Sequence, residues 1–380
     1  MLQSSLIPTP NPNPLPAPYW VFEVLLVVTF VLHIVAMNFM LGGGVLALAA
    51  KWRFKNRETG KRIFVDLAKK MPVLLPATIT LGIAPLLFVQ VLYGQFFYTS
   101  SVIMAWPWFL ILVCLTVAYY GFYYVSFKGG QHPGRAGVVM LGSVLLIFLI
   151  GFMLSNNITL SQTPQRWGQK YFADPSGWNL NLSDPSLFPR YMHFMVAAVA
   201  LGGLLLVFMA LANWKRDGAY ARQLLQFGGK GFMYATMAQV VEGALFLVSL
   251  PRGLRMLFLG SDPVAAVLFL IGILGTIASI FFMSLALRNE DIRMAAYYVP
   301  GIVGVVIVCM ATMRNILRAA YLAPYFHPSE LGVKTQWTVF PLFLAVFVAG
   351  AVFWFVMMMR YRWANGQKTA GVGADARADG

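Results

Sequence analysis

The chain has 380 residues, of which 59% are hydrophobic and 11% charged, with a formal net charge of +15 and a mean hydropathy of +0.71. Apolar runs of about 20 residues recur along it, each able to cross a ~30 Å hydrocarbon core, which excludes a soluble globular domain. The basic excess does not point to nucleic acid, because the lysines and arginines fall in short connections between apolar runs.

The first twenty residues are rich in Pro and Asn and lack a charged start, so no cleavable signal peptide is expected. Nine spans follow, at roughly 20–48, 72–97, 104–126, 136–158, 190–213, 231–250, 263–287, 295–313 and 337–359. The expected fold is all-α: a polytopic membrane helical bundle of nine transmembrane helices. An outer segment 1–19 precedes a single transmembrane domain 20–360, and a Gly/Ala-rich tail 361–380 is expected to be disordered.

The 51–70 connection is strongly basic and is expected on the cytoplasmic side, with the N-terminus outside and the C-terminus inside. Twenty of the 28 Lys and Arg then fall on the cytoplasmic side, among them those of the 215–230 loop. Two outer connections are long: 159–189, with Trp167 and Trp178, and 314–336, which opens on Arg314 and Arg318. Trp106, Trp108, Trp167, Trp178 and Trp337 cluster near the outer interface, where most serve as an aromatic belt.

Chemistry is expected first at two of the four histidines. His33 and His193 lie within spans, each nine residues before a glycine of a cluster, Gly42-Gly43-Gly44 and Gly202-Gly203. An imidazole in hydrocarbon is costly without a partner, and its neutral nitrogen is a good ligand for haem iron. Small residues nearby let a helix or a flat macrocycle approach. A hydrogen bond across helices is the blander reading, and two matched sites favour haem ligation over it.

Met310 and Met313, at the outer end of the eighth span, are candidate second ligands. Arg314 and Arg318 follow and suit haem propionates or lipid headgroups. Glu242 is the clearest carboxylate within a span; it could relay protons, bind a quinol hydroxyl or pair with an arginine. Gln90 and Gln239 are read as structural, His132 as solvated, and His327 as an outer-loop residue. Cys114 and Cys309 both fall in spans, so neither a disulfide framework nor a thiolate metal site is expected. The lack of Cys-x-x-Cys-His excludes covalent haem attachment.

These segments resemble subunit I of the cytochrome bd quinol oxidase superfamily. LHIVAMNFMLGGGVLALAA and RYMHFMVAAVALGGL are similar to its first and fifth spans, which carry haem-ligating histidines followed by glycine at the ninth position. LGIAPLLFVQVLYGQFFYTSS resembles its second span, and KRDGAYARQ, from Lys215 to Gln223, its cytoplasmic loop after the fifth. The resemblance covers roughly residues 20–250. It implies b haems, two or more, and a quinone or quinol.

The departures matter as much. The third span, AWPWFLILVCLTVAYYGFYY, has none of the family's acids, the outer quinol loop shrinks to 251–262, and Met313 stands near the family's glutamate ligand. The expected function is therefore electron transfer, not oxygen reduction, between quinol and an outer partner such as a c-type cytochrome, in a bacterial inner membrane. Rival readings are a haem-free quinol-interacting anchor of a respiratory oxidoreductase, similar to the polysulfide reductase membrane subunit, and, further from the residues, a quinol oxidase or a transporter.

Overall fold

The computed structural model describes residues 7–55, 57–353, 356, 357 and 360; the tail 361–380 lies outside the described residues. Two compact units are distinguished, Met1–Asn11 with Phe22–Glu330, and Pro12–Val21 with Leu331–Gly380.

The first unit is helical because its apolar runs must satisfy their own backbone hydrogen bonds in lipid. Its long helices are α1 (Tyr19–Arg53, whose first turn belongs to the other unit), α3 (Met71–Ile103), α4 (Ala105–Lys128) and α5 (Pro133–Ser161), followed by α7 (Leu187–Asn213), α8 (Gly218–Ser249), α10 (Pro263–Asn289) and α11 (Val299–Leu322). Among the described residues, eight helices are long and apolar enough to cross a membrane. Short helices lie in the connections: α2 (Glu58–Ala68), α6 (Trp167–Ala173) and α9 (Arg252–Met256). We call the end of the bundle carrying 162–186 and 323–330 the upper end.

In the second unit, Leu15 N–H donates to the Gly332 carbonyl at 2.7 Å, and Lys334 N–H donates to the Leu15 carbonyl at 2.9 Å. An apolar helix, α12 (Val339–Phe353), follows this pairing. The ninth expected span, 337–359, contains this helix and ends partly outside the described residues.

Three connections differ from expectation. The basic 51–70 segment is not an open loop but folds into α2. The expected loop 215–230 is helical from Gly218, because Asp217 caps α8 by accepting the Tyr220 N–H at 3.0 Å. Arg314 and Arg318 do not open an outer loop, because α11 continues to Leu322.

Trp167 is not a belt residue either. It is buried, and its indole N–H donates to the Leu160 carbonyl at 2.8 Å. Trp178 does lie at the surface, stacked on Trp106 with centroids 5.9 Å apart.

Polar contacts dock α2 on α8. Arg62 reaches Asp217 at 2.6 Å and lies 3.6 Å over the Tyr220 ring. The Tyr220 hydroxyl donates to Asp66 at 2.8 Å. The Arg62 hydrogen bond, with the Tyr220 N–H behind it, holds the Asp217 carboxyl below the usual carboxylate range.

A carboxyl lowered on folding stabilises the fold above its unfolded pKa of about 4, and that contribution is lost as pH falls through the lowered value. Arg62→Ala is therefore expected to reduce the unfolding temperature of the purified protein at neutral pH and to leave it little changed at strongly acidic pH. A thermal-unfolding series across pH checks this.

Candidate functional site

His33 projects from α1 towards α3. Its Nδ1 lies 3.0 Å from the Thr78 carbonyl oxygen. An imidazole donating Nδ1–H to a carbonyl keeps the Nε2 lone pair for another partner, and its ring orientation is fixed. One turn along α3, a methyl at Gly82 would stand 2.8 Å from the ring's Cε1. Glycine is the residue that leaves room for the ring at this position.

His193 repeats the arrangement between α7 and α8. Gln239 Nε2 lies 3.4 Å from His193 Nε2, and a methyl at Gly243 would stand 3.3 Å from Cε1. Thr78 and Gly82, like Gln239 and Gly243, are four residues apart. Each histidine is thus framed by an i, i+4 pair on the next spanning helix, and the second member of each pair is glycine. The Nδ1 of His193 is buried and meets no partner among the described residues, an uncommon state for a buried polar atom. The Phe246 ring stacks beside it, with centroids 6.5 Å apart.

The two histidine helices touch at the expected glycines. A Cβ on Gly42 would run into the Ala198 carbonyl and the Gly202 nitrogen, and one on Gly202 into the Gly42 backbone. The crossing is a backbone contact of the kind that only small residues allow.

Three arginines lie around the histidines. Arg314 sits 4.3 Å over the Phe30 ring and within electrostatic reach of His33. Arg190, on α7, sits 5.1 Å over the Phe246 ring, the ring beside His193, and its Nε and Nη2 are buried without partners among the described residues. Arg318 lies 5.6 Å from the Tyr93 ring centroid. Phe30 lies three residues before His33 and Phe246 stacks beside His193, so Arg314 stands on the His33 side and Arg190 on the His193 side.

Among the described residues none of the three is in an ion pair; the nearby Asp184 pairs with Arg166 at 3.6 Å. Desolvating an ion costs several kcal/mol, so this arrangement favours an anion among the arginines.

The remaining candidates fall around the His193 side. Met313 is buried and Met310 partly so, in a cluster with Leu250, Leu317 and Phe246. Glu242 is half-buried on α8, directly before Gly243, and among the described residues no hydrogen bond or ion pair reaches it. Its neighbours Val240, Val241 and Leu245 are exposed on the lipid-facing side, so Glu242 stands at the lipid-side rim of the His193 site. Gln90 is half-buried on α3, while His132 and His327 are exposed in connections.

Sequence reasoning missed Arg190, three residues before His193, and Glu23, ten residues before His33. Both are charges set into apolar helices near their upper ends, the signal used for Glu242. It also missed the Thr78–Gly82 and Gln239–Gly243 frames, which become visible only when α3 is placed beside α1 and α8 beside α7.

No protein-family profile matches the sequence, and no curated protein matches it in sequence. In three dimensions the chain is similar to a chain in the solved structure of bd oxidase from Geobacillus thermodenitrificans, with a TM-score of 0.67 and 11% sequence identity over 91% of this chain and 99% of that one. At that identity the likeness is one of fold.

Side chains at the framing glycines displace the rings. Gly82→Leu and Gly243→Leu are each expected to lower stability by about 1–3 kcal/mol, the usual cost of overpacking. Gly142→Leu, where an added Cβ meets nothing within 4 Å, is expected to leave it unchanged. Thermal unfolding of the three variants in one detergent checks the contrast.

Proposed function

We propose that this chain is a bd-like membrane b-type cytochrome that passes electrons between the quinone pool and an outer-side redox partner such as a c-type cytochrome. The observation that carries the reading is the pair of glycine-framed imidazoles joined by unpaired arginines. Among the described residues no group of three His, Cys, Asp or Glu is placed to hold a bare metal ion. Single imidazoles instead suit an iron that arrives in its own macrocycle, and the glycine clearances suit a flat one. The orphaned Nδ1 of His193 and the orphaned N–H groups of Arg190 fit the same occupant, a ligand with a metal centre and an anionic edge.

In this reading His33 and His193 each bind a haem iron. Met313, with Met310 behind it, supplies a second ligand on the His193 side. Arg190, Arg314 and Arg318 hold the propionates through planar, charge-assisted hydrogen bonds. A bound b haem supplies one-electron exchange. The protein's own part is to fix the rings through Thr78 and Gln239, to concentrate positive charge above them, and to exclude water with the surrounding apolar helices.

Quinol reaches the site through the lipid, and Glu242, on the lipid-side rim, accepts a proton from its hydroxyl. The lysine and arginine distribution supports reading the upper end as the outer one, in a bacterial inner membrane. The acid-free third span supplies no proton path for oxygen reduction, so an oxidase is not proposed.

The purified protein, reduced with dithionite, is expected to show a b-type alpha band. His33→Ala and His193→Ala are each expected to remove part of it, and the double variant all of it. A colourless, folded wild-type protein would overturn the cytochrome reading and leave a haem-free quinol-interacting anchor.

A further inference from the structure

The helices α4 and α5 leave an open groove of about 520 Å³ between them on the lipid-facing side. Val117 and Gly121 of α4 line one wall, and Val139, Gly142, Leu146 and Leu149 of α5 the other. Two glycines shape it. A Cβ on Gly121 would run into the Ser143 hydroxyl, so glycine there lets α5 come close to α4. A Cβ on Gly142 would meet nothing within 4 Å, so the wall is hollow at that point. Ser143 donates its hydroxyl to the Val139 carbonyl at 2.9 Å, which leaves the lining apolar.

Both walls end in charge. On α4, Val117, Gly121 and Tyr124 share a face, by helical spacing, with Lys128. On α5, Gly142, Leu146 and Leu149 share one with Arg135. Lys128 and Arg135 flank the turn 129–132 at the lower end of the bundle, opposite the upper one, and both are exposed. Residues 105–161 contain no Asp or Glu. Among the described residues neither cation is in an ion pair. The lower end of the groove is therefore positive, with nothing on its own helices to offset the charge.

Depth narrows the choice of occupant. Arg135 and Leu149 are fourteen residues apart, about 21 Å of helix axis. One leaflet with its headgroups is about 20–22 Å deep, half of the full bilayer. The groove and its cations thus match a single leaflet. A spanning helix of another chain would need a track about twice as long. The neutral tail of a quinone would leave the cations unanswered.

We propose that this groove binds an anionic phospholipid, with one acyl chain laid over Gly142 and the phosphate held between Lys128 and Arg135. Cations at a membrane surface attract anionic headgroups, and the two chemistries meet here on the same pair of helix faces. The bound lipid fills the hollow at Gly142 and offsets the repulsion of two like charges across one short turn. Haem plays no part in the site, so its fate is separate from that of the functional reading above.

The test uses the full-length protein, stripped of lipid in a neutral detergent, with phosphatidylglycerol or phosphatidylcholine added as the probe. Native mass spectrometry counts the lipids retained. Wild type is expected to keep one phosphatidylglycerol per chain more than Gly142→Leu, which fills the hollow. At that site phosphatidylglycerol is expected to outcompete phosphatidylcholine by about fivefold for each cation. The double variant Lys128→Gln with Arg135→Gln is expected to lose this preference.

Equal retention of the two lipids by wild type would overturn the proposal. So would a Gly142→Leu protein with the full wild-type lipid count, or an unaltered preference in the double variant. Should Gly142→Leu fail to fold, the double variant decides, because both of its changes are exposed. Retention of a quinone, or of a second copy of the chain, that Gly142→Leu abolishes would also overturn it.

Discussion

Backbone meets backbone where α1 crosses α7 at Gly42 and Gly202. This contact ties together the two helices that carry His33 and His193, and both histidines stand nine residues, about 13.5 Å of helix axis, from the crossing. The equal spacing sets the two rings at matched distances from a common point. The next spanning helices, α3 and α8, then present the same i, i+4 device to each ring. Two halves of the bundle thus repeat one local solution, and close helix approach through small residues makes the repetition possible.

Charge is the second constraint. Arg190, Arg314 and Arg318 occupy apolar helices and repel one another, yet none has a direct carboxylate partner among the described residues. The rings of Phe246, Phe30 and Tyr93 beneath the guanidinium groups offset part of the cost, at roughly 0.5–2 kcal/mol per contact against several kcal/mol of desolvation per ion. The attraction of the rings is too small to balance the burial. The difference is what an anionic group among the arginines would supply, and it is why the histidines and arginines are read as one site and not as two separate features.

The bundle was legible in the sequence where burial has a simple signature. Long apolar runs can only be spanning helices, and their order gave the architecture. Connections were harder to read. The helix α2 and the first turns of α8 are basic and amphipathic, so they read as loops, while the Arg62–Asp217 contact that docks one on the other joins residues 155 apart in the chain. Arg314 and Arg318 looked like the end of a span because charge usually marks the interface; here the helix carries them onward to Leu322. The histidines stood out by their chemistry alone. Their glycine frames did not, because Gly82 and Gly243 are ordinary members of apolar helices until a neighbouring helix lays an imidazole against them. Glu23 escaped notice by lying close to its helix start, where an acid is usually solvated.

The most direct measurement is a high-resolution cryo-electron microscopy map of the protein purified from its native membrane. The account predicts planar tetrapyrrole density bound by His33 and by His193, with carboxylates against Arg190, Arg314 and Arg318. A map in which both imidazoles face only protein or lipid, with a phospholipid headgroup among the arginines, would contradict it.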